Sequence, residues 1–288
     1  MELPMLCRYW IVGVIVLIAP RIAWSQDRIM APIPEGNEAN MQIIGGKPAT
    51  RADWPSTLMF DGNVGRCTST VVGRYVVLTA GHCVDDNSSA KLLWDNQQTK
   101  VLCHVHPEYR GPACESQFIP KKLVGCTADI AICVSAKPIS FNPGRFERVR
   151  SSPPPIAAND KINLLGFGCT EAAGKISDAL QVGLAKVDWP ALPGASSNPE
   201  LTMKEFIKTA GAAVCSGDSG GASYSIDPKP EMIAVASRGN LSTESYLVDL
   251  RTPQIQKFLR KASSLTDFNL PPGSIKICGI DPDAENCR

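Results

Sequence analysis

The chain has 288 residues, 44% of them hydrophobic and 20% charged, with a formal net charge of +1. That balance is globular, provides enough apolar residues for a sizeable core, and excludes the basic bias of a nucleic-acid-binding domain. Twenty-three glycines and twenty-three prolines spread along the chain point to many turns between short strands.

The first 25 residues read as a secretory signal peptide. Arg8 precedes an apolar run from Trp10 to Ala19, and Ala23-Trp24-Ser25 supplies a cleavage site that leaves Gln26 first. The run falls short of the ~20 apolar residues a membrane span needs, and no other segment reaches that length. The expected protein is therefore secreted and free of the membrane once the signal is removed. Removal takes away Cys7 and leaves ten of the eleven cysteines. Export with an even count implies disulfides, and no paired C-x-x-C spacing calls for zinc, so no metal is expected.

Residues 26–42 are polar and rich in Pro, Gly and Asn, as an extended segment would be. From Ile43 onward, short β-like runs dominate. Thr68–Val72 and Tyr75–Leu78 flank Gly73-Arg74 and predict a hairpin. Ile162–Leu165, Ser223–Ile226 and Met232–Ala236 predict further strands, the last two joined through Asp227-Pro228-Lys229-Pro230. Ser151-Ser152-Pro153-Pro154-Pro155 cannot be an interior strand and marks a linker between two halves. One helix is predicted, with Thr252 as cap, Pro253 in the first turn, and Ile255, Phe258, Leu259 and Ala262 on one face. The pattern predicts two all-β subdomains followed by an amphipathic helix.

Three residues carry chemistry if the fold unites them. His82 closes the apolar run in LTAGHC, Asp129 opens another in TADIAIC, and Ser219 sits among glycines in CSGDSGG. Serine needs a base to become a nucleophile at neutral pH. The imidazole in turn needs a carboxylate to fix its tautomer and stabilise its cation. The order His, Asp, Ser is one of those in which such sets occur. The only other histidines, His104 and His106, share one face of a predicted strand without a third ligand, and read as structural. Asn87-Ser88-Ser89 and Asn240-Leu241-Ser242 are glycosylation sequons.

Seven motifs stand in register: IIGGKPA at 43–49, WPSTL at 54–58, VVLTAGHC at 76–83, DIAIC at 129–133, GFGC at 166–169, CSGDSGG at 215–221 and ASRG at 236–239. Over residues 43–262 the chain resembles secreted serine proteases of the trypsin/chymotrypsin family. The resemblance implies an all-β fold of two six-stranded antiparallel β-barrels, at about 43–150 and 151–250, with a C-terminal helix over 252–262. It implies a monomeric endopeptidase that cuts proteins or peptides through an acyl-enzyme, with no cofactor.

By the same resemblance His82 is the general base, Asp129 its orienter and Ser219 the nucleophile. The N–H groups of Gly217 and Ser219 form the oxyanion hole, and Ser237 and Gly239 bind the substrate backbone. An activating protease frees the α-amino group of Ile43 to pair with Asp218, making 26–42 an activation segment. The bond so cut, Gln42-Ile43, lacks a basic residue before it. Other departures are Gly81 for Ala, Ala222 for Pro, and Arg238 where a Trp commonly lines the cleft.

The resemblance pairs Cys67 with Cys83. It leaves Cys215 without its usual partner, for which Cys169 is the best substitute. Three pairings exist among Cys103, Cys114, Cys126 and Cys133; Cys103–Cys133 with Cys114–Cys126 is favoured. Cys278–Cys287 staples the tail over 263–288. The base of the primary pocket falls at Ala213 and Val214, walled by Gly239 and Ser245, so an uncharged P1 side chain is expected, large or small. Two rival readings stay open: a basic P1 preference served by Glu244, and a non-catalytic homologue acting as a binding protein.

Overall fold

In a computed structural model, the residues described are 43–109, 128–141, 144–151, 156–171, 174–189, 206–226 and 230–287. The signal peptide, residues 26–42 and the Cys114–Cys126 pair lie outside them. The chain enters through a short strand, β1 (Gly46–Pro48), and then builds its first barrel. This contains β2 (Thr57–Gly62), β3 (Gly65–Gly73), β4 (Val76–Thr79), β5 (Ser88–Trp94), β6 (Gln97–Val105) and β7 (Ala131–Ser135). They close antiparallel in the order β2-β3-β4-β7-β6-β5. Alternation is clear on β5, where Ala90, Leu92 and Trp94 turn inward and Lys91 outward. Leu58, Phe60, Val71, Leu92 and Val101 fill this barrel.

The second barrel contains β8 (Lys161–Gly166), β9 (Gln181–Trp189), β10 (Phe206–Gly211), β11 (Ala222–Ser225), β12 (Met232–Gly239) and β13 (Glu244–Asp249). The β8–β9 pairing closes the ring β9-β10-β13-β12-β11-β8, and β1 attaches to β9 as an extra strand. The core holds Ile162, Leu164, Val187, Ile207, Ile233 and Leu247. The architecture is thus two six-stranded antiparallel barrels. The N-terminal strand β1 contributes to the second, although it precedes the first in sequence.

Helix α1 (Pro253–Leu259) follows, with Ile255, Phe258 and Leu259 buried and Ala262 buried just beyond it. Thr252 takes the cap position but not the cap role. Its hydroxyl donates to the Asp249 carbonyl (3.2 Å) instead of accepting a helix N–H. Two histidine contacts tie this end to β6 and its continuation. His106 packs edge-on against Phe258, with ring centroids 4.8 Å apart, and the His104 Nε2 lies 2.6 Å from Asp267 Oδ2. The tail then returns to the first barrel, where Cys278 N–H donates to the Val72 carbonyl (2.8 Å) and Val149 N–H donates to the Cys278 carbonyl (2.9 Å). Disulfides join Cys67–Cys83, Cys103–Cys133, Cys169–Cys215 and Cys278–Cys287. Cys103 and Cys133 are direct cross-strand partners on β6 and β7.

Candidate active site

His82 lies in a 3-10 turn, Gly81–Cys83, immediately after β4, and Asp129 lies two residues before β7. Because β4 and β7 are neighbours with Thr79 opposite Ala131, the ladder itself sets these two ends side by side. The Asp129 carboxylate receives His82 twice. Oδ1 accepts the backbone N–H at 2.7 Å, and Oδ2 lies 2.7 Å from ring Nδ1. The backbone bond fixes the turn, and the ring bond leaves Nε2 as the nitrogen directed elsewhere. Gly81 keeps this approach close, since a Cβ there would lie 3.1 Å from Asp129 Oδ1 and 3.2 Å from the Tyr109 ring.

Asp129 is fully buried, which pushes its pKa up, but the charge and N–H of His82, the Ser237 hydroxyl and the Arg238 guanidinium outweigh burial. The carboxyl ends below its ordinary value and stays ionised. Ser237 on β12 donates to Oδ2 at 2.6 Å, so its side chain serves Asp129, whatever its backbone does. The second barrel thereby reaches across to a carboxylate held by the first.

Ser219 belongs to a loop between β10 and β11. It is half-buried between neighbours, Asp218 and Gly220, that are buried. Its carbonyl accepts the N–H of Thr68 on β3 (2.8 Å) and lies 3.8 Å from Cys83 Sγ, next to His82. Gly217, at φ +98°, adopts a conformation that side chains disfavour. A Cβ there would also press within 2.9 Å of Ile176 Cγ2. The Gly217 and Ser219 N–H groups have no acceptor among the described residues. Two unengaged donors beside a half-exposed hydroxyl form a place where a developing oxyanion could sit.

Asp218 points inward. Its carboxylate accepts N–H bonds from Gly168 (2.7 Å) and Cys215 (2.8 Å), and burial pushes its pKa up to about 7. Gly166 and Gly168 admit it, because a Cβ on either would come within 2.4 Å of a carboxylate oxygen. The GFGC motif thus has a function that the sequence signals only as a pair of glycines. Ile43 is fully buried, with its side chain against Gly183 on β9. Gly183 pairs with Leu164, two residues along β8 from Gly166, so Ile43 and Asp218 lie against one ladder.

The four residues read as a pocket converge. Ala213 is buried and its N–H donates to the Ile44 carbonyl (2.8 Å). Val214 N–H donates to the buried Ser245 hydroxyl (2.9 Å). A Cβ on Gly239 would meet Val214 Cγ2 at 3.1 Å and the Glu244 carbonyl at 2.8 Å, so the walls stand close together. Glu244 itself turns the other way on β13, and its carboxylate lies 2.8 Å from Lys208 Nζ. The grouping of Cys67, His82 and Cys83 is no metal centre, since Cys67 and Cys83 are disulfide-bonded.

Sequence reasoning missed Thr68. Its hydroxyl donates to the Gly217 carbonyl (2.7 Å) and accepts the Phe167 N–H (3.1 Å), joining the serine loop to both barrels. A threonine inside a buried strand gives no signal of that kind.

Comparison with known proteins adds a family. The Trypsin family model matches residues 43–259. Chymotrypsin-like elastase family member 1 of Macaca fascicularis is 29% identical over 201 residues, covering 64% of this chain and 73% of that protein. The Homo sapiens protein of the same name is 28% identical over 201 residues, covering 64% and 76%. Trypsin of Phaedon cochleariae is 26% identical over 205 residues, covering 63% and 73%.

Proposed function

Because the chain belongs to the trypsin family of serine proteases, we propose that it is a secreted serine endopeptidase with a preference for small, uncharged P1 residues. The observation that carries the activity is the doubly bonded His82–Asp129 pair at 2.7 Å, with the Ser219 loop seated beside it. In this reading Ser219 Oγ attacks the scissile carbonyl while His82 Nε2 takes its proton. Asp129 stabilises the imidazolium through Nδ1, and the Gly217 and Ser219 N–H groups receive the oxyanion. His82 then gives the proton to the leaving amine, and water, activated by the same base, releases the acyl group.

Pocket shape supports the P1 preference. Val214 reaches toward Gly239, Ala213 and Ser245 are small and buried, and no described wall carries an unpaired acid. A substrate Lys or Arg would bury its cation with no partner. Glu244, the one acid adjacent in sequence, faces Lys208 instead.

Asp218 supports a latent form. Among the described residues this buried carboxylate has two N–H partners and no counter-charge, which the amine of Ile43 would supply once a separate protease cuts Gln42-Ile43. The mature enzyme works as a monomer on protein or peptide substrates and uses no cofactor. Among the described residues, no helix is long and apolar enough to cross a membrane.

The test is a peptide-library profile of the chain beginning at Ile43, beside its Ser219→Ala variant. Cleavage after Ala, Val or similar residues that the variant loses by ~10³-fold or more is expected. Equal inertness of both proteins would remove the enzyme reading. Dominant cleavage after Lys or Arg would remove the pocket reading alone.

A further inference from the structure

Arg238 follows Ser237 on β12 and folds its side chain back toward Asp129. Its Nη2 lies 3.9 Å from Asp129 Oδ2, the oxygen that also faces the His82 ring. Nε donates to the Ser237 hydroxyl at 3.3 Å, and that hydroxyl donates in turn to Oδ2. Beneath, the guanidinium carbon sits 5.6 Å from the centroid of the buried Phe206 ring. The guanidinium is therefore held on one side by an aromatic face and on the other by a hydroxyl and a carboxylate, and only 23% of the side chain is exposed.

Such placement matters because Asp129 is fully buried and meets His82 through that residue's backbone N–H and ring Nδ1. An imidazole carries charge only while its ring is protonated, whereas a guanidinium carries it throughout. A fixed cation beside Oδ2 answers the carboxylate at all times. The same cation lies within about 7 Å of the imidazole, so it opposes a positive charge there.

We propose that Arg238 is a positioning residue for the triad: it supplies a permanent counter-charge to Asp129 and holds His82 in its neutral, base-competent form into more acidic solution. The inference rests on the reading of His82 as the catalytic base. The effect is one of charge and placement, with no contact to substrate required.

Other groups around the pair do not duplicate it. Tyr109 lies by Gly81 and offers a phenol in place of a fixed cation. On adjoining turns, Asp86 accepts the Val105 N–H and Glu108 bonds to Gln254. His106 is turned into the Phe258 contact. Tyr246, across from Arg238 on β13, neighbours Lys208, which lies between Asp188 and Glu244. Among the described residues Arg238 is the cation that approaches Asp129.

The experiment compares the protein beginning at Ile43 with its Arg238→Gln and Arg238→Lys variants. Two readouts are taken: the pH profile of kcat/KM on a neutral peptide, and the NMR titration of the His82 ring in an added Ser219→Ala background. Two charges about 7 Å apart in an effective dielectric of roughly 40–80 shift a titration by about half a unit to one unit. Arg238→Gln should therefore move both the acid limb and the ring titration upward by that amount. Arg238→Lys should restore most of the shift, and ~1 M salt should narrow the difference. Superimposable ring titrations for parent and Gln variant, with both folded by thermal melt, would overturn the inference. A shifted ring titration in a protein without Ser219-dependent turnover would leave the inference standing and remove the enzyme reading instead.

Discussion

Val214 is where a single side chain sets the expected selectivity. Its Cγ2 lies close to Gly239, and the bond from its backbone N–H to Ser245 holds this stretch of chain in place. Val214→Gly should deepen the pocket. Each further CH2 that a substrate then buries is worth about 0.8 kcal/mol, close to fourfold. The ratio of kcat/KM for Leu over Ala at P1 should rise by ~10-fold or more, measured on matched peptides. An unchanged ratio would mean that another wall limits the pocket. Motif order singles out His82, Asp129 and Ser219 in the sequence, and the structure sets the first two in direct contact. What was not legible is the company they keep. That Ser237 and Arg238 both turn toward Asp129 goes with a register shift in β12 between Ala236 and Arg238, which no local pattern records.

At the scale of elements, the serine loop and the GFGC turn form one unit around Asp218. The disulfide Cys169–Cys215 and the two N–H bonds to the carboxylate tie them together. With Ile43 still joined to Gln42, that carboxylate keeps its proton up to about pH 7 in the fold, whereas its ordinary value is 3.8. The unfolded chain thus releases the proton first. Stability from this group is full below pH 3.8, declines as pH rises through the folded value of about 7, and is level above it. Melting temperatures of the uncut protein, compared with its Asp218→Asn variant, should diverge over that window, with the parent losing up to about 4 kcal/mol. Cleavage before Ile43 should abolish the divergence; persistence after cleavage would refute the pairing. Elements differed in how well they announced themselves. β4 is apolar on one side, through Val76 and Leu78, and reads easily, whereas β9 and β10 carry Lys186, Asp188 and Lys208 on their outer face and do not. β1, three residues ending in Pro48, exists only because β9 offers it an edge.

Across the whole molecule, two barrels share one site, and the division of labour is uneven. The first holds His82 and Asp129 just beyond the adjoining ends of neighbouring strands; the second holds Ser219, Ser237 and the expected pocket walls. The resemblance in sequence anticipated the barrels, but not the return of the tail. That return is made by backbone bonds at Val72 and Val149, to which side-chain patterns are blind. Thr68 is the bolt of this assembly: one residue of β3 bonds to Gly217, Ser219 and Phe167. Relative motion of the barrels must break those bonds before it disturbs either core. The joint should accordingly open on its own, as a sub-global fluctuation visible in amide hydrogen exchange. Thr68→Val removes the acceptor of the Phe167 amide, whose exchange should quicken by about tenfold or more, while Leu58 and Leu164 keep their protection. Uniform acceleration at all three positions would instead show the barrels to open as one body. If the joint does open alone, the spacing between His82 and Ser219 is a thermally fluctuating quantity that a single buried hydroxyl keeps within range.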